Sequence, residues 1–185
     1  WWLRDKQKCV WILVTSPYNQ LNHEYKNKSQ INIIGDGSHL EDLKKIVAEN
    51  NINNIIFWGR KPRNEMYKYF KASDFLIVSL VDKPIFSLTV PAKTQTYIAS
   101  GKPLFGVIRG EAEDIINDNN LGFCAKPNDI KEIATNFKKA IDSNTIDLEE
   151  FGKNGKYLTN NIFNKDKTID SLLDLLIGNK LWKIY

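Results

Sequence analysis

Residues 75–108 open on Phe75-Leu76-Ile77-Val78-Ser79-Leu80 and close on Leu104-Phe105-Gly106-Val107-Ile108. Between them stands Phe86-Ser87-Leu88-Thr89-Val90-Pro91-Ala92-Lys93-Thr94-Gln95-Thr96-Tyr97-Ile98-Ala99-Ser100-Gly101-Lys102-Pro103. The outer runs are short, apolar and rich in β-branched and aromatic residues, as strands covered on both faces are. The middle reads as a polar loop that enters a helix over Pro91–Ser100. Pro91 suits the first turn, where its missing N–H would be unpaired in any case. Thr89 is placed to cap that turn. Gly101 stands at the left-handed position past the helix end, and Pro103 prevents continuation. The order strand, loop, helix, strand is the unit of a parallel α/β sheet. The same stretch predicts a ligand position. The amides from Ala92 to Thr94 open from the helix N-terminus and favour an anion. At roughly 100° per residue, Thr89, Lys93 and Thr96 share one face, while Thr94, Tyr97 and Ile98 share another. A cation, two hydroxyls and a helix start therefore converge, and a phosphate or diphosphate fits them.

Outward from this unit the alternation repeats. Further strands are expected at Cys9–Thr15, Ile31–Ile34, Ile55–Trp58 and Gly122–Ala125. Helices are expected at Ser38–Asn50, Asn64–Lys71, Glu111–Asn117 and Asp129–Asp142. Ser38 and Glu41 form a capping box for the first of these, with Leu40, Leu43, Ile46 and Val47 facing the sheet. Two terminal helices, Leu148–Tyr157 and Lys165–Ile177, follow the sheet. The expected fold is α/β: a Rossmann-like parallel sheet of about six strands, helices on both faces, then C-terminal helices. The divisions are a divergent or truncated N-terminal segment over 1–30, the sheet-bearing domain over 31–145 and the C-terminal helices over 146–185.

In open parallel sheets ligands bind beyond the C-terminal ends of the strands. Three loops leave there: Gly35-Asp36-Gly37, Gly59-Arg60-Lys61, and the segment leading to Pro91. Gly35-Asp36-Gly37 lacks the third glycine of a dinucleotide fingerprint, so a tight strand-to-helix turn accounts for it as well as a ligand border does. Arg60 and Lys61 fit a solvated turn or phosphate and base contacts equally. Glu111 is either a helix N-terminal charge or an acceptor for a sugar hydroxyl.

Composition narrows the class. The 185 residues are 42% hydrophobic and 26% charged, with a net charge of +4. Those are globular values, and the scattered lysines and arginines give no nucleic-acid tail. The mild positive charge suits anionic ligands or an anionic lipid surface. Cys9 and Cys124 stand far apart and read as reduced and buried. His23 and His39 are the only histidines, and no cluster has metal-ligand spacing, so no metal or other cofactor is expected. A nucleophile elbow and a Walker loop are both missing, which disfavours a Ser/His/Asp hydrolase and a P-loop enzyme. With no signal-peptide pattern and no spanning apolar run, a cytoplasmic location is expected. The chain opens at Trp1 without an initiator Met, which reads as a piece of something larger.

The run from Pro84 to Pro103 resembles the C-terminal half of bacterial family-4 glycosyltransferases, in the branch that builds O-antigen and capsule polysaccharides. The likeness continues through Gly110-Glu111-Ala112 and Leu121-Gly122-Phe123. It extends back through Ala72-Ser73-Asp74, Gly59-Arg60-Lys61-Pro62 and Ile34-Gly35-Asp36-Gly37-Ser38. The resemblance implies one half of a GT-B fold, in which two Rossmann-like domains face each other across a cleft. This half would bind a UDP- or GDP-sugar without a metal. The resemblance puts the base near Gly59, Arg60 and Lys61, and the diphosphate over Leu88, Thr89, Val90 and Lys93. Thr96 stands where many relatives carry a ribose-binding glutamate, and Leu88 where the first acid of that pair falls. Val10–Thr15 is followed by Ser16-Pro17-Tyr18, where the family has a glycine loop. The implied activity is retaining transfer of a sugar to a glycan or polyprenyl-linked acceptor, at the inner face of the cell membrane. The implied partner is an N-terminal acceptor domain, and no catalytic residue is assigned within the chain. Two rival readings are a sugar-nucleotide 2-epimerase half-domain and a non-catalytic nucleotide-binding module.

Overall fold

The computed structural model describes residues 23–37 and 39–178. The expected strand at Cys9–Thr15 and the serine of the expected Ser38–Glu41 box fall outside those residues. The described order is α1 (His23–Lys28), β1 (Ile31–Ile34), α2 (Leu40–Glu49), β2 (Ile55–Gly59) and α3 (Met66–Ala72), which follows a 3-10 turn at Arg63–Glu65. Next come β3 (Leu76–Ser79), α4 (Pro84–Ser87), α5 (Ala92–Ala99), β4 (Leu104–Val107) and α6 (Glu111–Asp118). The chain then runs through β5 (Gly122–Ala125), α7 (Ile130–Asp142), α8 (Thr145–Asn161) and α9 (Lys165–Gly178).

All strand pairs are parallel. β1 pairs with β2, and β3, β4 and β5 form a second set in that order. Five strands in two sets, among the described residues, replace the single sheet of about six that the apolar runs suggested. The β3–β4–β5 pairs run in register, Leu76 beside Leu104 and Leu104 beside Gly122. Alternate residues of these strands enter opposite layers. Leu76, Val78 and Leu104 join Ile98 of α5, Ala112 and Ile116 of α6 and Leu158 of α8. Phe105, Val107 and Ala125 pack on the other side with Ile133 of α7. Both faces are covered, which is why these runs carry almost no polar residue. Ile31 and Ile55 pack on Leu43 and Val47 of α2, and Phe137 of α7 touches this core as well as the other. One helix thus ties the two strand sets together.

Glycine sets the closest approaches. Gly122, at φ 145°, would carry a Cβ only 2.0 Å from the Leu104 carbonyl oxygen. Gly152 and Gly155 lower α8 onto the end of α5, against the carbonyl oxygens of Gly101 and Ile98. α8 begins at a capping box in which Asn144 and Asp147 exchange bonds, so it starts earlier than Leu148. α2 differs from expectation at its start: the capping position is His39, whose side chain makes no cap bond.

Candidate functional site

The strands deliver their loops to their C-terminal edge, as parallel pairing requires. Gly35 N–H donates to the Gly59 carbonyl at 2.9 Å, so the first two loops are adjacent. Arg60 lies 3.9 Å from Asp36 across the same gap. Gly59 sits at φ 64°, a left-handed value that favours glycine, and a Cβ there would meet nothing within 4 Å. The space above that turn is open. Lys61 lies 5.8 Å from the exposed Trp58 ring, which also packs edge-on against Tyr69.

The second group of expected residues surrounds α4 and α5. Here the sequence-based picture needs three corrections. Pro91 is the capping residue, with extended angles of φ −60° and ψ 136°, and Ala92 is the first helical position. Thr89 does not cap α5: its hydroxyl lies 3.4 Å from the Ile85 and Phe86 carbonyls and closes the end of α4 instead. The Thr94 amide is also engaged, donating to the Pro91 carbonyl at 2.8 Å. The early turn of α5 therefore presents fewer amides than a bare helix start would. α4 itself was read as polar loop, because a four-residue helix carries no periodic signal.

Lys93 and Thr96 are both exposed on α5, with the Thr96 hydroxyl donating to the Ala92 carbonyl at 3.1 Å. Thr94 turns inward, fully buried, as the helical face predicted. Its hydroxyl has no hydrogen-bond partner, a costly state for a buried polar atom. Beside it Tyr97 packs edge-on against Phe70 at 5.2 Å, and burial pushes its hydroxyl pKa up to about 12. Leu88 is 75% exposed at the end of α4, and Val90 is half-buried.

Glu111 opens α6 after Gly110, whose φ is 75°. A Cβ on Gly110 would strike the Ser87 carbonyl oxygen at 2.1 Å, so this turn is seated directly on α4. The structure thus joins the expected residues in two groups: Gly59, Arg60 and Lys61 beside Asp36, and Leu88, Thr89, Val90, Lys93 and Thr96 beside the Glu111 turn.

His39 is exposed, with its Nδ1 3.2 Å from Asp42. Cys124 is a buried free thiol whose pKa burial pushes up to about 12, with Glu113 adding to the rise. Among the described residues no three His, Cys, Asp or Glu side chains are placed to hold a metal ion. No helix among them is long and apolar enough to cross a membrane. Sequence reasoning missed a polar junction at the same edge, where Asp82 meets Arg109 at 3.5 Å and accepts from Asn128 at 3.2 Å. The available signal was position: Asp82, Arg109 and Asn128 each follow a strand.

Comparisons with known proteins agree with this architecture. Probable glycosyltransferase WbjE of Pseudomonas aeruginosa is 32% identical over 127 residues, 68% of this chain and 31% of its own. An uncharacterised glycosyltransferase of Methanocaldococcus jannaschii is 26% identical over 156 residues, 84% of this chain and 38% of its own. The chain therefore spans about a third of the length of these relatives. Among solved structures, Staphylococcus aureus TarM in complex with UDP, alpha-GlcNAc-glycerol and Fondaparinux superposes with a TM-score of 0.70 at 16% identity, over 94% of this chain and 33% of its own. Anabaena HepE in complex with UDP and glucose gives 0.67 at 16% identity, over 91% and 44%. These likenesses show the fold, that of GT-B glycosyltransferases. Residues 18–157, from ahead of β1 to the end of the α8 contact with α5, match the family described as Glycosyl transferases group 1, and the chain belongs to it.

Proposed function

We propose that this chain is the nucleotide-sugar-binding domain of a retaining glycosyltransferase, the C-terminal half of a family-4 enzyme. The single observation that carries the reading is the family match over residues 18–157. The seating of the Glu111 turn on α4 supports it, because it gathers Leu88–Lys93 and Glu111 at one sheet edge. UDP in the complexes of the similarly folded TarM and HepE supports a nucleotide donor here too.

In this reading Gly59, Arg60 and Lys61 receive the base of a UDP- or GDP-sugar. The diphosphate rests over Leu88, Thr89, Val90 and Lys93, with Thr96 toward the ribose and Glu111 toward a sugar hydroxyl. Departure of the nucleoside diphosphate develops negative charge on its terminal phosphate. Lys93 and the start of α5 stabilise that charge electrostatically, with no metal ion taking part. The sugar goes to a glycan or polyprenyl-linked acceptor in surface polysaccharide synthesis, at the inner face of the membrane. A second domain of the longer protein supplies the acceptor site.

A thermal-shift series of the chain with UDP, GDP, UDP-GlcNAc and inorganic phosphate tests the reading. The expected result is a saturable rise in Tm with one of the nucleotides that survives a chelator. No response to any nucleotide leaves the non-catalytic module as the better account.

A further inference from the structure

A cavity of about 410 Å³ opens at the C-terminal edge of β4 and β5, lined by Arg109, Lys126, Asn128, Asp129, Ile130 and Lys131. It is an open surface depression rather than an enclosed pocket. None of its residues belongs to the donor groups above. Three cations and one carboxylate, Asp129, line it, and two further carboxylates, Asp82 and Glu132, stand beside it. Asp82 approaches Arg109 through Nε at 3.5 Å, longer than a charge-assisted bond, and the same carboxylate oxygen accepts from Asn128. Asp82 thus sets the guanidinium and the amide side by side while leaving most of the guanidinium's donor capacity open. Asp129 accepts from the Glu132 N–H at 2.9 Å, and Glu132 accepts from the Lys126 N–H at 3.1 Å. Both carboxylates are tied into the start of α7. No ion pair or hydrogen bond joins the Lys126 or Lys131 ammonium group to another described residue.

The placement of Lys131 is informative. It stands in the first turn of the 13-residue helix α7, where the helix dipole disfavours a cation. Arg109 and Lys126 converge on the same space from the ends of β4 and β5. Asp82 is held by Arg109 and Asn128, and Asp129 and Glu132 by backbone N–H groups, so an anion entering the cavity meets three cations whose neighbouring carboxylates are already engaged.

We propose that this cavity binds one anionic group, a phosphate or a carboxylate, carried on a small polar ligand. Arg109 and the two ammonium groups contact the charge, and the Asn128 amide stays oriented by Asp82. The proposal stands whether or not the donor reading holds, because it uses no donor residue.

The test is a titration of the ¹⁵N-labelled chain followed by amide chemical shifts. The probes are inorganic phosphate, glucose 1-phosphate, glucuronate, and glucose as the neutral control. The expected result is a saturable shift at Arg109, Lys126, Asn128 and Lys131 with at least one anion and none with glucose. R109A, with its Tm measured alongside to check the loss of the Asp82 pair, is expected to weaken that affinity about tenfold. K126A and K131A each weaken it less. Saturation by the two phosphates identifies a phosphate site, and saturation by glucuronate a carboxylate site. The proposal is overturned if these amides give no saturable shift with any anion, or if R109A binds as tightly as the unmodified chain.

Discussion

Gly152 of α8 lies against the backbone of Gly101 so closely that a Cβ added to it would come within 2.4 Å of the Gly101 carbonyl oxygen. The contact joins the long C-terminal helix to the residue that ends α5. A methyl group there meets backbone, which cannot rotate away. Gly152→Ala is expected to destabilise the fold by about 1–3 kcal/mol, the usual cost of overpacking. At this chain length that lowers Tm by about 2–4 °C per kcal/mol. Urea denaturation of the two proteins in parallel measures it, and equal midpoints would refute the close approach.

Lys93 is exposed on the first turn of α5, so its loss leaves the core intact. Lys93→Ala is expected to weaken UDP or GDP binding about tenfold or more, the scale of one charge-assisted contact. Calorimetry decides between this and an unchanged affinity, which would remove Lys93 from the diphosphate site.

Thr94 tests the opposite face of that helix. Its hydroxyl is fully buried without a partner. Thr94→Val exchanges that orphan for a methyl of nearly the same shape. The expected outcome is unchanged or raised stability, by up to about 1–3 kcal/mol, the desolvation cost of an unpaired polar group. A clear loss in a thermal melt would mean that the hydroxyl is satisfied in solution.

Cys124 and Tyr97 predict a pH dependence with a defined sign. Burial raises the thiol from 9.0 and the phenol from 10.0, each to about 12. Between the lower and upper values the unfolded chain has lost a proton that the folded chain keeps. Both groups therefore favour the fold fully below pH 9.0, and this advantage declines as pH rises toward 12. Cys124→Ala is expected to flatten the earlier part of that decline in melts taken across the alkaline range. At pH 8 the native Cys124 thiol is expected to resist alkylation, read by mass spectrometry of its peptide.

The strands were legible because burial on both faces leaves a continuous apolar run, and Ile31–Ile34 and Gly122–Ala125 stand where those runs do. Ends were less so: the run Phe75–Leu80 pairs only over Leu76–Ser79, since pairing depends on neighbours and not on hydrophobicity. α8 shows the limit on the helical side. The expected helix Leu148–Tyr157 already holds Gly152 and Gly155, but the structure extends it to the 17 residues Thr145–Asn161, because the Asn144–Asp147 box caps it ahead of the apolar repeat. In the site, facing was readable from the helical repeat, which separates Thr94 from Lys93 and Thr96. Capping was not, because Thr89 had two carbonyls behind it to choose and only the short α4 supplies them. The Arg109 cavity gave no local pattern, since its residues come from the loops after β4 and β5, brought together by strand order.

The fit of Gly110 onto Ser87 has a mechanical consequence. With no side chain between them, the two loops pack backbone against backbone. The spacing between the Glu111 turn and the Leu88–Val90 stretch is therefore set at Gly110, and any side chain there would have to push the two apart.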